Sequence, residues 1–139
     1  MRVLFMQHDA FSPPRLVAER FEELGFQAVE ETIVEAHLYD TPGEATFEFP
    51  DPRDFDVIVP MGSPWGAWDD SKIGSWLLPE LQWLGDADAA GVPVLGICFG
   101  GQLLARAHGG SVGRAPDCEI GWTSLWSEDE SLIDPGPWF

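Results

Sequence analysis

Short apolar runs that alternate with stretches of helical periodicity predict an α/β fold with a mostly parallel sheet and helices on both faces. The apolar runs are bounded by polar or turn-forming residues, and the helical stretches between them end at glycines. The chain has 139 residues, of which 45% are hydrophobic. This length and composition suit one domain with one well-formed core.

The first strand and helix are predicted at the N-terminus. Val3–Met6 is an uninterrupted apolar run, typical of a strand buried on both faces. Ser12 is the expected N-cap of the next helix, Pro13 fits its first turn, and Gly25 offers a C-terminal stop. The predicted apolar face of this helix comprises Leu16, Val17, Phe21 and Leu24.

The second and third strands are separated by a long connection. Residues 27–34 are rich in β-branched side chains and predict a strand, although Glu30 and Glu31 argue against its complete burial. Proline, glycine and acidic residues dominate 39–53, which predicts a surface connection. Val57–Val59 is predicted as the next buried strand.

The remaining elements complete a doubly wound pattern. A helix is predicted over 79–90, with Gly91 as its terminator, and 93–97 is predicted as the fourth strand. Alternation of strands and helices with right-handed crossovers predicts a flavodoxin-like arrangement. Short extended pieces at 111–114 and 120–126 predict C-terminal edge strands or a hairpin.

Charge and cysteine content exclude several classes of partner. Twenty-four acidic residues against seven basic ones give a net charge of -17, which disfavours nucleic acid and membrane surfaces as partners. We find no signal peptide and no apolar run long enough to span a membrane. The two cysteines, Cys98 and Cys118, suit a reducing cytoplasm, and no cysteine–histidine cluster indicates a metal. We therefore expect a cytoplasmic protein without a metal or cofactor.

The most informative motif is Gly-Ile-Cys-Phe-Gly at 96–100, between a predicted strand and a helix. This is the pattern of a nucleophile elbow with cysteine in place of serine, and glycines on both sides allow a sharp turn. Cys98 would lie at a helix N-terminus, where backbone N–H groups stabilise a thiolate. The alternative is a small buried cysteine with no reactivity.

The segment Gly96–Gln102 resembles the nucleophile motif of class I glutamine amidotransferases. Met61-Gly62-Ser63-Pro64 is similar to the oxyanion loop of that family, and 119–122 resembles a segment that follows the nucleophile helix in members similar to GMP synthase. The resemblance extends along the whole chain and is strongest from Pro93 to Trp122. It implies an enzyme of the glutaminase or amidotransferase type, which we expect to be inactive as residues 1–139 alone.

The resemblance implies a covalent mechanism. Cys98 would attack the side-chain amide of glutamine to give a γ-glutamyl thioester and ammonia, and water would then release glutamate. Two backbone N–H groups would form the oxyanion hole. One would come from Phe99, and the other from the Gly62–Ser63 loop, most simply from Ser63.

The same resemblance assigns substrate-binding positions. Gln102 would help to hold the substrate glutamine, and Gly100 would allow its close approach. Glu119 could contact the α-amino group of the substrate, but a surface carboxylate is an equal alternative. Gln102 has a similar alternative as a solvated residue in the first turn of a helix.

The general base of such a site is missing from the sequence. In the resembled family a histidine and a glutamate lie well C-terminal of the nucleophile. His108 is about 15 Å along the helix from Cys98, too far to act as its base, and is predicted as a helix C-cap. We interpret His8 as loop or substrate-pocket wall and His37 as surface. We expect 1–139 to be a single class I amidotransferase domain that is C-terminally incomplete; the alternative is a short relative without the triad.

Three functions are consistent with these sequence features. The first is glutamine hydrolysis with delivery of ammonia to a synthetase or acceptor subunit. The second is a γ-glutamyl hydrolase or cysteine-peptidase-like relative, and the third an inactive glutamine-binding or regulatory module. Several aromatic residues near the C-terminus predict an apolar patch that packs against the missing part of the domain or against a neighbouring subunit of a homo-oligomer: Trp122, Trp126, Trp138 and Phe139.

Overall fold

A parallel sheet with the strand order β2-β1-β3 forms the centre of this computed structural model, which describes residues 1–116, 121–131 and 133–138. The sheet strands are β1 (Arg2–Gln7), β2 (Gln27–Thr32) and β3 (Val57–Pro60). The helices are α1 (Arg15–Glu23), α2 (Asp70–Ala89) and α3 (Phe99–Ala107). Three short 3-10 turns lie in the connection between β2 and β3. Residues 39–53 of this connection were predicted to lie on the surface, but Pro42 and Ala45 are buried.

The segment 93–97, predicted as the fourth strand, extends the sheet beside β3. The N–H of Ile58 donates to Pro93 O at 3.0 Å, and the N–H of Leu95 donates to Ile58 O at 2.9 Å. Its one regular bridge pairs Ile58 with Val94 in parallel. The segment therefore occupies the predicted strand position, although the ladder is not regular enough to count as a strand.

The two faces of β1 contribute to two separate cores. Val3 and Phe5 pack with Ala18 of α1 on one face. On the other face, Leu4 and Met6 belong to the larger core, which α2 and α3 cover. Side chains alternate across a strand, so five fully buried positions in succession require helices on both sides of the sheet. The predicted doubly wound α/β arrangement is confirmed.

Helix α1 begins later than predicted. Pro14 occupies its N-cap position, and no side chain caps it, so the prediction of Ser12 as N-cap is wrong. A proline disfavours helical backbone at the residue before it, and consecutive prolines therefore delay the helix. Of the four residues predicted to form its apolar face, Leu16 and Leu24 are exposed. The other two, Val17 and Phe21, pack with Ala18 in the core. Gly25 ends the helix with φ +86°, as predicted.

Helix α2 is longer than predicted, because Pro79 lies inside it and does not begin it. The proline removes one helical hydrogen bond. Apolar residues are nevertheless buried on both sides of it, including Ile73 and Trp76 before it and Leu84 after it. Packing of both halves against the sheet outweighs the lost hydrogen bond.

A C-terminal hairpin is present as a second, antiparallel sheet of β4 (Thr123–Leu125) and β5 (Gly136–Trp138). β4 lies within the predicted piece 120–126, whereas its partner β5 was not predicted. The other predicted piece, 111–114, is irregular. Trp122 and Trp126 are 74% and 92% exposed. Across the described part of the chain, no helix combines the length and apolar character that a membrane span requires.

Candidate active site

Cys98 stands at a sharp turn between the extended segment 93–97 and α3. It is the N-cap residue of α3, with φ 56° and ψ -106°, and its side chain is exposed. A positive φ at a residue with a Cβ costs about 1–3 kcal/mol and persists only where the surrounding structure imposes it. The turn thus holds the thiol away from the core at the carboxyl end of the sheet.

Close backbone packing around the turn explains the two glycines that flank Cys98. A Cβ on Gly100 would lie 2.0 Å from Pro60 O, and a Cβ on Gly96 would lie 2.6 Å from the carbonyl of Gly100. The Gly100 N–H also donates to Met61 O at 3.1 Å. The start of α3 is therefore pressed against the end of β3, which leaves no room for a side chain.

The loop after β3 lies beside the cysteine. A Cβ on Gly62 would be 3.9 Å from the Cβ of Cys98. The Ser63 hydroxyl accepts from the N–H of Trp65 at 3.1 Å, so it is engaged within its own turn. Phe99 is the first residue of α3, where an N–H group has no acceptor within the helix. The structure thus brings Gly62 and Phe99 to Cys98, and their role as an oxyanion hole with Ser63 stays a prediction.

Gln102 and Arg106 of α3 both hold the far end of this loop. Gln102 Oε1 accepts from the N–H of Ala67 at 3.2 Å. Arg106 donates to the carbonyl of Ala67 and pairs with Asp70 at 2.5 and 3.0 Å. The hydrogen bond from the Arg106 guanidinium lowers the pKa of Asp70 below its usual 3.8. The predicted substrate contacts of Gln102 and Gly100 stay predictions, and Glu119 lies outside the described residues.

A buried pair beneath the loop was not predicted. His8 Nε2 lies 3.0 Å from Glu80 Oε1, and His8 Nδ1 lies 3.1 Å from Gly62 O. Both side chains are fully buried, and the His8 ring contacts the rings of Trp76 and Phe99. His8 lies in the bend directly after β1, as predicted for a loop residue, but its side chain is buried in the core behind the candidate site and does not form a pocket wall.

The other histidines lie where they were predicted. His37 is exposed beside Glu35, and His108 is the C-cap of α3. Within the described residues, no imidazole contacts the Cys98 thiol, and no group of three or more histidine, cysteine or acidic side chains could hold a metal ion.

Comparison with known proteins assigns the family. The family model for glutamine amidotransferase class-I matches residues 17–135. The chain is 39% identical over 120 residues to the glutamine-hydrolysing GMP synthase of Aeropyrum pernix, a match that covers 85% of this chain and 20% of that protein. It is 41% identical over 71 residues to gamma-glutamyl peptidase 4 of Arabidopsis thaliana, over 49% of this chain and 27% of that one.

A solved structure supports the same assignment. A glutamine amidotransferase from Thermotoga maritima aligns with a TM-score of 0.74 and 25% identity, over 99% of this chain and 57% of that chain. The chain thus spans only part of the length of each of these proteins. The flavodoxin-like α/β fold is confirmed by this likeness. Because the family model covers most of the chain, the protein belongs to the class I glutamine amidotransferase family.

Proposed function

We propose that this chain carries the nucleophile of a glutamine-hydrolysing site. The Cys98 sulfur attacks the side-chain carbonyl carbon of glutamine, the C–N bond breaks, and the departing nitrogen takes up the proton lost by the thiol and leaves as ammonia. The resulting γ-glutamyl thioester is hydrolysed by water to glutamate and the free thiol. The observation that carries the proposal is the exposed Cys98 at positive φ, with the Gly62 loop beside it.

Backbone N–H groups supply the oxyanion hole in this proposal. The N–H of Phe99 follows the nucleophile at the start of α3, and the N–H of Ser63 belongs to the loop beside it. Such donors stabilise the negative charge that develops on the carbonyl oxygen as sulfur attacks. The hydroxyl of Ser63 accepts from the N–H of Trp65, and the donor in this proposal is the backbone N–H of Ser63.

Substrate contacts complete the proposed site. The NH2 group of Gln102 is the part of its amide that a carboxylate of glutamine would use, because Oε1 holds Ala67. Gly100 has no side chain and so allows close approach of the substrate, and Glu119 is proposed to contact the α-amino group of glutamine. These contacts would select a substrate with a free amino-acid end.

The reaction also requires a general base, which the described residues do not place at Cys98. His8 is engaged at both ring nitrogens, and His37 and His108 lie elsewhere. We propose that residues 1–139 are part of a longer amidotransferase domain that contributes the base. Ammonia would then pass to a synthetase domain or acceptor subunit, in a protein that we propose to be cytoplasmic.

Two other functions share this site. Similarity to gamma-glutamyl peptidase 4 favours cleavage of γ-glutamyl peptides through the same thioester. A non-catalytic glutamine-binding module would explain why no base contacts Cys98 in the described residues. Activity towards glutamine and towards a γ-glutamyl peptide therefore distinguishes the three functions.

The decisive measurement is ammonia release from glutamine by the full gene product, with Cys98→Ala as the test variant and Cys118→Ala as the matched thiol control. We expect release by the parent and by Cys118→Ala, and none above background by Cys98→Ala. Cleavage of a γ-glutamyl dipeptide without release of ammonia from glutamine would select the peptidase function. Binding of glutamine without turnover of either compound would select the binding module.

A further inference from the structure

We propose that His8 is a positioning residue for acyl transfer at Cys98, acting through the Gly62–Ser63 peptide. The inference deepens the proposed function and rests on it. His8 follows β1 at the carboxyl end of the sheet, and its imidazole lies between Glu80 of α2 and the loop after β3.

The hydrogen bond to Gly62 O fixes the orientation of one peptide group. His8 Nδ1 lies 3.1 Å from that oxygen, and a carbonyl oxygen can only accept, so Nδ1 carries the proton. The N–H on the other side of the same peptide belongs to Ser63, the proposed oxyanion donor. The described chain has no cis peptide bond, so this N–H points in the opposite direction, away from His8.

The imidazole is itself held in place. Its Nε2 lies 3.0 Å from Glu80 Oε1, and the rings of Trp76 and Phe99 contact it at centroid distances of 5.8 and 4.6 Å. A hydrogen bond between Nε2 and Oε1 requires a proton on one of these two atoms. Whichever of the two holds it, Nδ1 remains a donor to Gly62.

The pair is poorly explained by stability alone. Glu80 and His8 are fully buried, and Glu80 Oε2 has no hydrogen-bond partner among the described residues. A partly satisfied buried polar pair is generally less stabilising than apolar side chains of the same volume. What the pair provides is a donor fixed against the carbonyl of the loop, which also polarises the Ser63 N–H.

If His8 has this role, its replacement should slow acylation of Cys98 but not alkylation. Acylation of Cys98 forms a tetrahedral oxyanion and needs the Ser63 N–H, whereas alkylation by iodoacetamide is a direct displacement at carbon and forms none. Loss of an oxyanion donor costs about 10²–10³ in rate. If the Ser63 N–H is present but poorly positioned, the acylation rate should fall by less, on the order of tenfold. The alkylation rate should not change.

The experiment measures both reactions at Cys98 of the full gene product. p-Nitrophenyl acetate acylates the thiol with release of p-nitrophenolate, a leaving group that needs no acid; iodoacetamide alkylates it. Mass spectrometry counts adducts on Cys98, and Cys98→Ala gives the background. His8→Leu removes the donor, whereas the amide nitrogen of His8→Asn can replace Nδ1.

We expect His8→Leu to acylate about tenfold more slowly, with alkylation within about twofold of the parent, and His8→Asn to recover most of the acylation rate. A parallel fall in both rates would mean that His8 only maintains the fold. Rates equal to those of the parent in both reactions would remove its positioning role. Absence of acylation at Cys98 in the parent would also overturn the inference. If His8→Leu does not fold, His8→Gln replaces it, because its amide reaches the Nε2 position and leaves Gly62 without a donor.

This test separates the inference from the function on which it rests. Neither probe is glutamine, so a protein that releases no ammonia can still show the selective loss of acylation. Conversely, a glutaminase whose His8 variants keep the parental ratio would retain the proposed function without the positioning role.

Discussion

At the scale of single residues, the backbone of Cys98 is the clearest departure from ordinary conformation. Its φ of 56° favours glycine, so the thiol is held at a cost in stability. We predict that Cys98→Gly is more stable than Cys98→Ala by about 1 kcal/mol in urea unfolding. The control is Ala105→Gly in the regular part of α3, which should instead lose about 1 kcal/mol. Equal stability of the two Cys98 variants would contradict the strain.

Adjacent glycines of α3 provide a second matched pair. The Cβ of Gly100→Ala would meet Pro60 O at 2.0 Å, whereas that of Gly101→Ala would lie 3.6 Å from Gly96 O, an ordinary contact. We expect Gly100→Ala to lose about 3 kcal/mol or more in urea unfolding, and Gly101→Ala to be neutral or slightly stabilising. Tolerance of both would show that the turn can move away from β3.

Residues that carry a local signal could be predicted, and residues that meet only in the fold could not. Cys98 and Gly62 each lie in a motif directly after an apolar run, so their proximity follows from the carboxyl ends of neighbouring strands. His8 and Glu80 are 72 positions apart. A lone histidine and a glutamate among leucines have no spacing that predicts a contact.

At the scale of elements, the ion pair between α2 and α3 gives a pH-dependent prediction. The Arg106 hydrogen bond depresses the pKa of Asp70, so this stabilisation is complete above 3.8 and is lost as the pH falls through the lower folded-state value. Asp70→Asn should therefore be less stable than the parent at neutral pH, by less than about 1 kcal/mol, because the pair is partly exposed.

The difference should shrink as the pH falls below 3.8, since protonated Asp70 and asparagine are alike in charge and shape. Thermal unfolding of both proteins from neutral pH to that range tests this. Asp51→Asn is a useful comparison, because Arg53 lowers the pKa of Asp51 to about 2 on an exposed turn away from α3. A difference between Asp70→Asn and the parent that grows in acid would contradict the prediction.

Element boundaries were predictable where backbone chemistry acts alone. Gly25 ends α1 because its φ of +86° suits glycine. The first half of α2 was missed because a proline is typical of a helix start, and Pro79 was therefore placed at the beginning. In the folded chain the helix continues through Pro79, with Ile73 and Trp76 buried before it. Local rules weigh the lost hydrogen bond but not the packing that offsets it.

At the scale of the whole molecule, net charge predicts a response to salt. A charge of -17 on 139 residues is self-repulsive in the compact state. We expect the unfolding temperature to rise between about 0.01 and 0.1 M NaCl, as the Debye length falls from about 30 to about 10 Å. Sucrose at matched osmolality is the control for non-ionic effects. A melting temperature independent of salt would show that the acidic groups are too dispersed to matter.

The layered architecture was predictable because it depends on average properties. Alternating apolar runs and helical stretches determine a doubly wound sheet even when single boundaries are wrong by several residues. Of the C-terminal hairpin only β4, within 120–126, was predictable; its partner at Gly136–Trp138 contains a proline and a glycine and carries no strand signal. The irregular ladder at Pro93 was not, because an apolar run indicates a buried extended segment but not the regularity of its hydrogen bonds.

The loop after β3 has a kinetic consequence. Its backbone is held from several elements, through contacts at Met61 O, Gly62 O, the Ala67 N–H and Ala67 O. A loop fixed in this way has little conformational entropy left to lose when a ligand arrives. Association should therefore be limited by encounter and desolvation, with an observed rate that increases linearly with ligand concentration and shows no plateau from loop closure.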